Sequence, residues 1–348
     1  MEKIDKPDNI KIHFILGPGR SGTTLLIHIL NNHKNCVSSP EYKHLLLFYK
    51  KHHNMTEVTP QLLADAKKYL TTKLQTEDVA NYEHYLNEDS PFTIGEKINY
   101  FEFCKRIYFS FGHPGKDKSK ITTIIDKTPA YSFQVDKLRQ ILPDAKFLYA
   151  IRDYRSFVLS NIQSPEYYAR HLPVQYHSLV IAYYKKRILK IKEKYKDRVD
   201  ILRYEDFVLE KEKNFERICD FFEMENDLES FNYREKVDFN DNKDKKDERT
   251  VYQRVNLSKS INTERLEAWK GVFTDFQIKT IEFWCGEVGE KFGYETTKKS
   301  NLLEKIAIVF ISLPYYIRVW VYFKINSIRL NVFLTEGRKA RYFKSIKS

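Results

Sequence analysis

The chain has 348 residues, 42% of them hydrophobic, which is enough for one large α/β domain or two small ones. Its formal net charge of +12 suits an anionic ligand, an acidic substrate or an anionic surface. No helix-turn-helix, zinc-finger or RNA-binding signature accompanies that charge, so no nucleic-acid partner is expected. The four cysteines, Cys36, Cys104, Cys219 and Cys285, lie far apart and without metal-site spacing. They read as buried free thiols in a reducing, cytoplasmic setting. The first dozen residues are charged and lack a signal-peptide core.

In chain order, Ile10 to Leu16 is an apolar run that reads as a buried parallel strand. It breaks into Gly17-Pro-Gly-Arg20-Ser-Gly22-Thr-Thr24, and a helix is expected over residues 24–31. A strand, a glycine-rich loop and a helix N-terminus make a phosphate cradle: glycines turn backbone N–H groups toward the anion, and the helix adds its dipole. The spacing Gly17-x4-Gly22 matches the opening of a nucleotide-binding P-loop, but Thr23 stands where that loop has lysine, and the basic residue is Arg20. Residues 42–118 read as mostly helical, with no strong strand pattern.

A second apolar run, 121–125, ends in Asp126-Lys127-Thr128-Pro129 and precedes a helix with apolar positions at Val135, Leu138 and Ile141. The clearest later strand, 145–151, ends in Arg152-Asp153. Helices follow at 156–163 and 173–195. A short strand at 199–202 runs into Arg203-Tyr204-Glu205-Asp206, and a helix after it carries Phe215, Ile218, Phe221 and Phe222 on one face. Strands alternating with helices imply a parallel sheet covered on both sides. Residues 236–262 are polar and charge-mixed, a solvated loop or a lid. Helical periodicity returns over 266–292.

The tail differs in kind. Ile306 to Phe323 is apolar and aromatic, interrupted by Ser312, Pro314 and Arg318, and is followed by a basic end. As a helix it would be about 27 Å long, marginal for crossing a bilayer. Two readings stay open: an interfacial helix with a polybasic flank in peripheral contact with membrane, or a helix packed on the protein's own domain or on a twin subunit in a homodimer.

In an open parallel sheet, ligands sit beyond the carboxyl ends of the strands. Four such ends here carry polar groups, and Arg152 is followed eight residues later by Ser160 on the next helix, so a guanidinium and a hydroxyl can meet on one anion. The ordered set then resembles a known family. The strand–GPGRSGTT–helix segment is similar to the 5′-phosphosulfate loop of sulfotransferases that use 3′-phosphoadenosine 5′-phosphosulfate (PAPS). FLYAIRDYRSFVLSN, with Arg152 and Ser160, is similar to their 3′-phosphate segment. LRYEDF (202–207), LEAWKGVF (266–273) and KFGY (291–294) resemble further landmarks in the same order. The resemblance covers roughly residues 10–295, and the RSGTT loop places it nearer the carbohydrate and tyrosyl-protein branches than the phenol and steroid enzymes.

The resemblance implies an α/β, P-loop-like three-layer fold, a central parallel sheet flanked by helices, with a helical C-terminal tail. It implies a sulfotransferase domain over 1–298 and a basic aromatic tail over 299–348. It implies PAPS as co-substrate, with no metal, and an acceptor hydroxyl on a glycan, a lipid-linked molecule or a small molecule. Arg20, Ser21, Gly22, Thr23 and Thr24 would hold the 5′-phosphosulfate. Arg152 and Ser160 would hold the 3′-phosphate, and Lys259 matches a loop over the nucleotide. Lys127 and Arg20 would stand by the reacting group, and Glu41 in Ser-Ser-Pro-Glu-Tyr matches a catalytic glutamate, with His44 as a fallback base or its partner. Two rival classes are a P-loop kinase or NTPase and a non-catalytic nucleotide-binding module.

Overall fold

A computed structural model describes residues 10–39, 44–74, 92–110, 116–164, 170–232, 263 and 265–333. The polar stretch 236–262, with Lys259, lies outside these, as does Glu41.

Five described strands form one parallel sheet: β1 Lys11–Leu16, β2 Cys36–Ser39, β3 Thr123–Asp126, β4 Phe147–Ile151 and β5 Val199–Arg203, in the spatial order β2-β3-β1-β4-β5. Phe14 of β1 is in register with Asp126 on one side and Phe147 on the other, and because every pairing is parallel the carboxyl ends lie on one edge of the sheet. The connections from β1 and β4 leave in opposite directions, which opens a crevice between these two strands at that edge.

The pleat of β1 sorts its side chains into two layers. Ile15 joins a core cluster with Leu26, Ile29 and Leu30 of helix α1 (Thr23–Asn32). Phe14 points the other way, stacked on Phe147 at 5.2 Å and edge-on to Tyr131 at 6.2 Å. β1, β3 and β4 are buried almost throughout, as apolar central strands of a parallel sheet must be. The expected apolar runs all became strands. β2 was not expected: Cys36-Val-Ser-Ser39 has only four residues and ends in two serines, so neither length nor alternation marks it.

The chain divides into two compact units. The first comprises Met1–Pro40, Lys118–Val135 and Asp144–Trp320 and holds the sheet. The second comprises Glu41–Asp117, Asp136–Pro143 and Val321–Ser348. Its described residues from 44 to 110 carry the short helices α2 (His44–Leu47) and α3 (Tyr49–His52), then α4 (Pro60–Leu74) and α5 (Tyr100–Ser110). Tyr100 Oη donates to Leu45 O at 2.6 Å, and Arg106 Nη1 reaches both oxygens of Glu96, at 2.8 and 2.9 Å. A short helix, α6 (Val135–Ile141), follows the sheet's third strand.

In the first unit, α7 (Tyr154–Gln163) and α8 (Val174–Lys194) follow β4; α9 (Tyr204–Leu209) and α10 (Lys211–Phe222) follow β5; then come α11 (Asp275–Glu290) and α12 (Leu302–Phe333), whose residues from Val321 belong to the second unit. α11 starts on a capping box, Thr274 Oγ1 with Gln277 N and Gln277 Oε1 with Thr274 N. α12 begins four residues before the apolar run at 306 and continues through Pro314. All four cysteines are buried, and none is in a disulfide. Burial pushes the thiols of Cys104, Cys219 and Cys285 up to about 12.

Candidate active site

The loop after β1 is shaped by two glycines. Gly17 has φ +128°, and a Cβ there would sit 2.3 Å from Ala150 O of β4, so only glycine lets the two strand ends approach. Its N–H donates to Ser132 Oγ at 3.0 Å. Gly22, at φ +84°, is the N-cap of α1; a Cβ there would meet the Tyr204 ring at 2.4 Å. Between them Arg20 also takes a left-handed φ of 70°. α1 has no side-chain cap and no acidic residue in its first turn, so its N–H groups keep their donor capacity at the carboxyl edge of the sheet.

Arg20 does not point to solvent: its Nε donates to Ser160 Oγ on α7 at 3.1 Å. This joins a residue of the cradle to a residue of the expected second phosphate site. Arg152, directly after β4, lies with its guanidinium 4.8 Å from the Tyr204 ring centroid, and its Nη2 donates to Arg265 O at 2.7 Å. Burial is the main cause of its lowered pKa; Tyr204 and Glu205 oppose that shift, while the charges of Arg265 and Arg20 add to it. Arg152 Nε and Ser21 Oγ are buried with no hydrogen-bond partner among the described residues. Two guanidiniums, an uncapped helix start and two unsatisfied polar atoms thus lie at the carboxyl edge around the β1–β4 crevice, a donor set that fits an anion.

The landmarks downstream brace this edge. Asp153 caps α7, accepting from Arg155 N at 2.7 Å and Ser156 N at 3.3 Å. Arg155 bridges Asp153 (Nη2 to Oδ2, 2.6 Å) and Glu282 of α11 (Nη1 to Oε1, 2.9 Å), and lies 4.3 Å over the Trp269 ring. Glu205 accepts from Asp153 N and from Tyr294 Oη, both at 2.8 Å. Ser156 Oγ donates to Leu266 O at 2.9 Å. The segments LRYEDF, LEAWKGVF and KFGY therefore converge on the turn that presents Arg152.

Lys127 follows β3 and is buried, not a surface lysine. It influences His28, one helical turn beyond Thr24 on α1: burial first and the Lys127 charge second lower that imidazole to about 4. His28 was not singled out in the sequence, although its i+4 spacing from Thr24 carried the signal. Tyr204 and Ser132 were also missed, because their roles rest on non-local contacts. His44 opens α2, while Glu41 and Lys259 lie outside the described residues.

The chain matches the family described as the sulfotransferase family over residues 13–228. Among solved structures it is similar to the sulfotransferase domain from the Synechococcus PCC 7002 olefin synthase, with 19% identity, 84% of this chain and 98% of that chain covered, and a TM-score of 0.53. It is also similar to the sulfotransferase domain from the curacin biosynthetic pathway, with 17% identity, coverage of 83% and 99%, and a TM-score of 0.52. At these identities the likeness speaks to the fold. No curated protein matches the chain. A match spanning more than half the chain, lying on a parallel sheet whose carboxyl edge gathers a glycine-rich loop and two arginines, places this protein in the sulfotransferase family, as an enzyme of sulfuryl transfer.

Proposed function

We propose that the sulfuryl donor is PAPS and that the acceptor is a hydroxyl whose proton is taken by a carboxylate. The observation that carries the donor assignment is the Arg20–Ser160 bond beside the buried, unsatisfied Arg152 Nε. A nucleotide phosphorylated at both ends of its ribose asks for two neighbouring cationic sites, and these residues supply them. When bound, PAPS supplies the sulfuryl group. Ser21, Gly22, Thr23, Thr24 and the α1 N-terminus would hold its 5′ end, and Arg152 with Ser160 its 3′-phosphate.

Catalysis then needs two things from the chain. Charge growing on the leaving phosphate oxygen must be neutralised, the part assigned to Arg20 and Lys127. The acceptor hydroxyl must lose its proton, the part assigned to Glu41, with Lys259 covering the nucleotide. Burial of Lys127 supports its part, because a desolvated ammonium acts at higher effective field than a surface one. Thr23 in place of the P-loop lysine disfavours the kinase or NTPase reading.

Calorimetric titration with adenosine 3′,5′-bisphosphate and with ATP, each with and without magnesium, tests the donor. Metal-independent binding of the bisphosphate, abolished by Arg152→Ala, is the expected result. Preference for ATP with magnesium, or indifference to Arg152→Ala, overturns it.

A further inference from the structure

Helix α12 is apolar on its exposed side. Its inner stripe, with Ile308, Ser312 and Val319, is buried. That stripe and its margins are fastened to the first unit along their length. Lys279 Nζ pairs with Glu304 Oε1 at 2.6 Å, Trp284 Nε1 donates to Ser312 Oγ at 3.0 Å, and the Arg318 guanidinium lies 5.6 Å over the Tyr176 ring. At about 100° per residue, the opposite stripe carries Leu303, Ile306, Phe310, Leu313, Ile317 and Trp320. These six side chains are between 53% and 79% exposed.

No charged residue falls between Lys305 and Arg318. The exposed stripe runs for about 26 Å of helix, a larger continuous apolar surface than a water-soluble monomer ordinarily leaves open. Cations flank it on both sides, with Lys298 and Lys299 before it and Lys324 and Arg329 after it. Residues 334–348 add five more lysines and arginines against one acid, Glu336. Apolar side chains bounded by cations are complementary to the acyl–headgroup boundary of an anionic bilayer.

We propose that α12 lies in the plane of an anionic lipid surface, with the Leu303–Trp320 stripe among the upper acyl chains and the basic flanks on the headgroups. Leu302–Lys324 is long and apolar enough to cross a membrane by length and composition. The fastenings from Glu304 to Arg318 argue for the in-plane arrangement. A crossing helix would draw Lys279 of α11 and its own Glu304 and Arg318 into hydrocarbon with it. The proposal is independent of the donor assignment, since it involves none of the strand-end residues.

The test is flotation of the full chain with vesicles of phosphatidylcholine alone and of phosphatidylcholine containing about a third phosphatidylserine. Binding to the anionic vesicles is expected, weakened by salt. It should fall at least about tenfold in the double variant Phe310→Glu, Ile317→Glu, which removes apolar burial without touching the docked stripe. A second measurement keeps that face apolar. Trp320 emission, taken as the difference from Trp320→Phe, should be quenched more by lipids brominated near the headgroup than near the chain end. Absence of flotation with both vesicles overturns the proposal. So does a doubled mass in solution that the double variant returns to monomer, which assigns the stripe to a second copy. Stronger quenching by the deep bromines assigns a crossing helix instead.

Discussion

Gly22→Ala is the substitution through which the two halves of the site can be tested against each other. The new methyl group would sit 2.4 Å from Tyr204 Cδ2, and the backbone at φ +84° disfavours any Cβ by roughly 1–2 kcal/mol. Two relaxations are open. If the loop yields, the N–H groups at the start of α1 turn away from the anion. If Tyr204 yields, Arg152 loses the ring it lies against, a contact worth about 1 kcal/mol. Either way bisphosphate affinity falls by about 2 kcal/mol, roughly thirtyfold in Kd. The assay is a double-mutant cycle by calorimetry on Gly22→Ala, Tyr204→Ala and the pair, with thermal unfolding as the check on folding. In the Tyr204→Ala background there is no ring to strike, so adding Gly22→Ala should cost only its backbone share, about 1 kcal/mol. Strict additivity of the two single losses, or a Gly22→Ala protein that binds like the wild type, refutes the coupling of loop and Arg152 through Tyr204.

Ser160→Ala should weaken adenosine 3′,5′-bisphosphate by about 1 kcal/mol and leave adenosine 5′-phosphate unchanged, measured by the same titration. Glu41→Gln should lower kcat about a hundredfold with little change in bisphosphate Kd, read by single-turnover sulfuryl transfer. Lys185 lies fully buried, its Nζ without a hydrogen bond among the described residues and 3.9 Å over the Tyr294 ring, and burial lowers its pKa to about 8. Between about pH 8 and the ordinary lysine range the unfolded chain binds the proton and the folded chain does not, so this group's contribution to stability rises with pH across that window, by up to about 3 kcal/mol. Lys185→Met should abolish that slope in denaturant titrations repeated across the window; an unchanged slope assigns it to another group.

What the sequence disclosed and what it withheld follow from the range of the interactions. Apolar runs such as 145–151 mark central strands because both faces of a parallel sheet are covered, and each of the four expected runs is a strand. Cys36–Ser39 escaped because a short edge strand carries no such run. The glycine-rich loop was legible because a strand, its glycines and a helix start are contiguous. The Arg20–Ser160 bond was not, since 140 residues separate its ends and only the β1–β4 pairing brings them together. The same holds for Tyr204, legible as part of LRYEDF but not as the support of Arg152. The tail helix extends past its apolar run in both directions because docking on Trp284 offsets the break that Pro314 would otherwise impose, about 3 kcal/mol in an isolated helix.

The buried cysteines give the fold a set of internal clocks. Cys36 on β2, Cys104 on α5, Cys219 on α10 and Cys285 on α11 sample the sheet edge, the second unit and two separate helices. With the thiols of Cys104, Cys219 and Cys285 pushed up to about 12, almost no thiolate exists at these three in the folded chain at neutral pH. Alkylation must wait for each element to open, so the rate at which each cysteine reacts reads out the opening free energy of its own region. A ligand that stitches β1 to β4 should slow the clocks on the elements it ties together and leave the one at Cys104 free to run at a different pace.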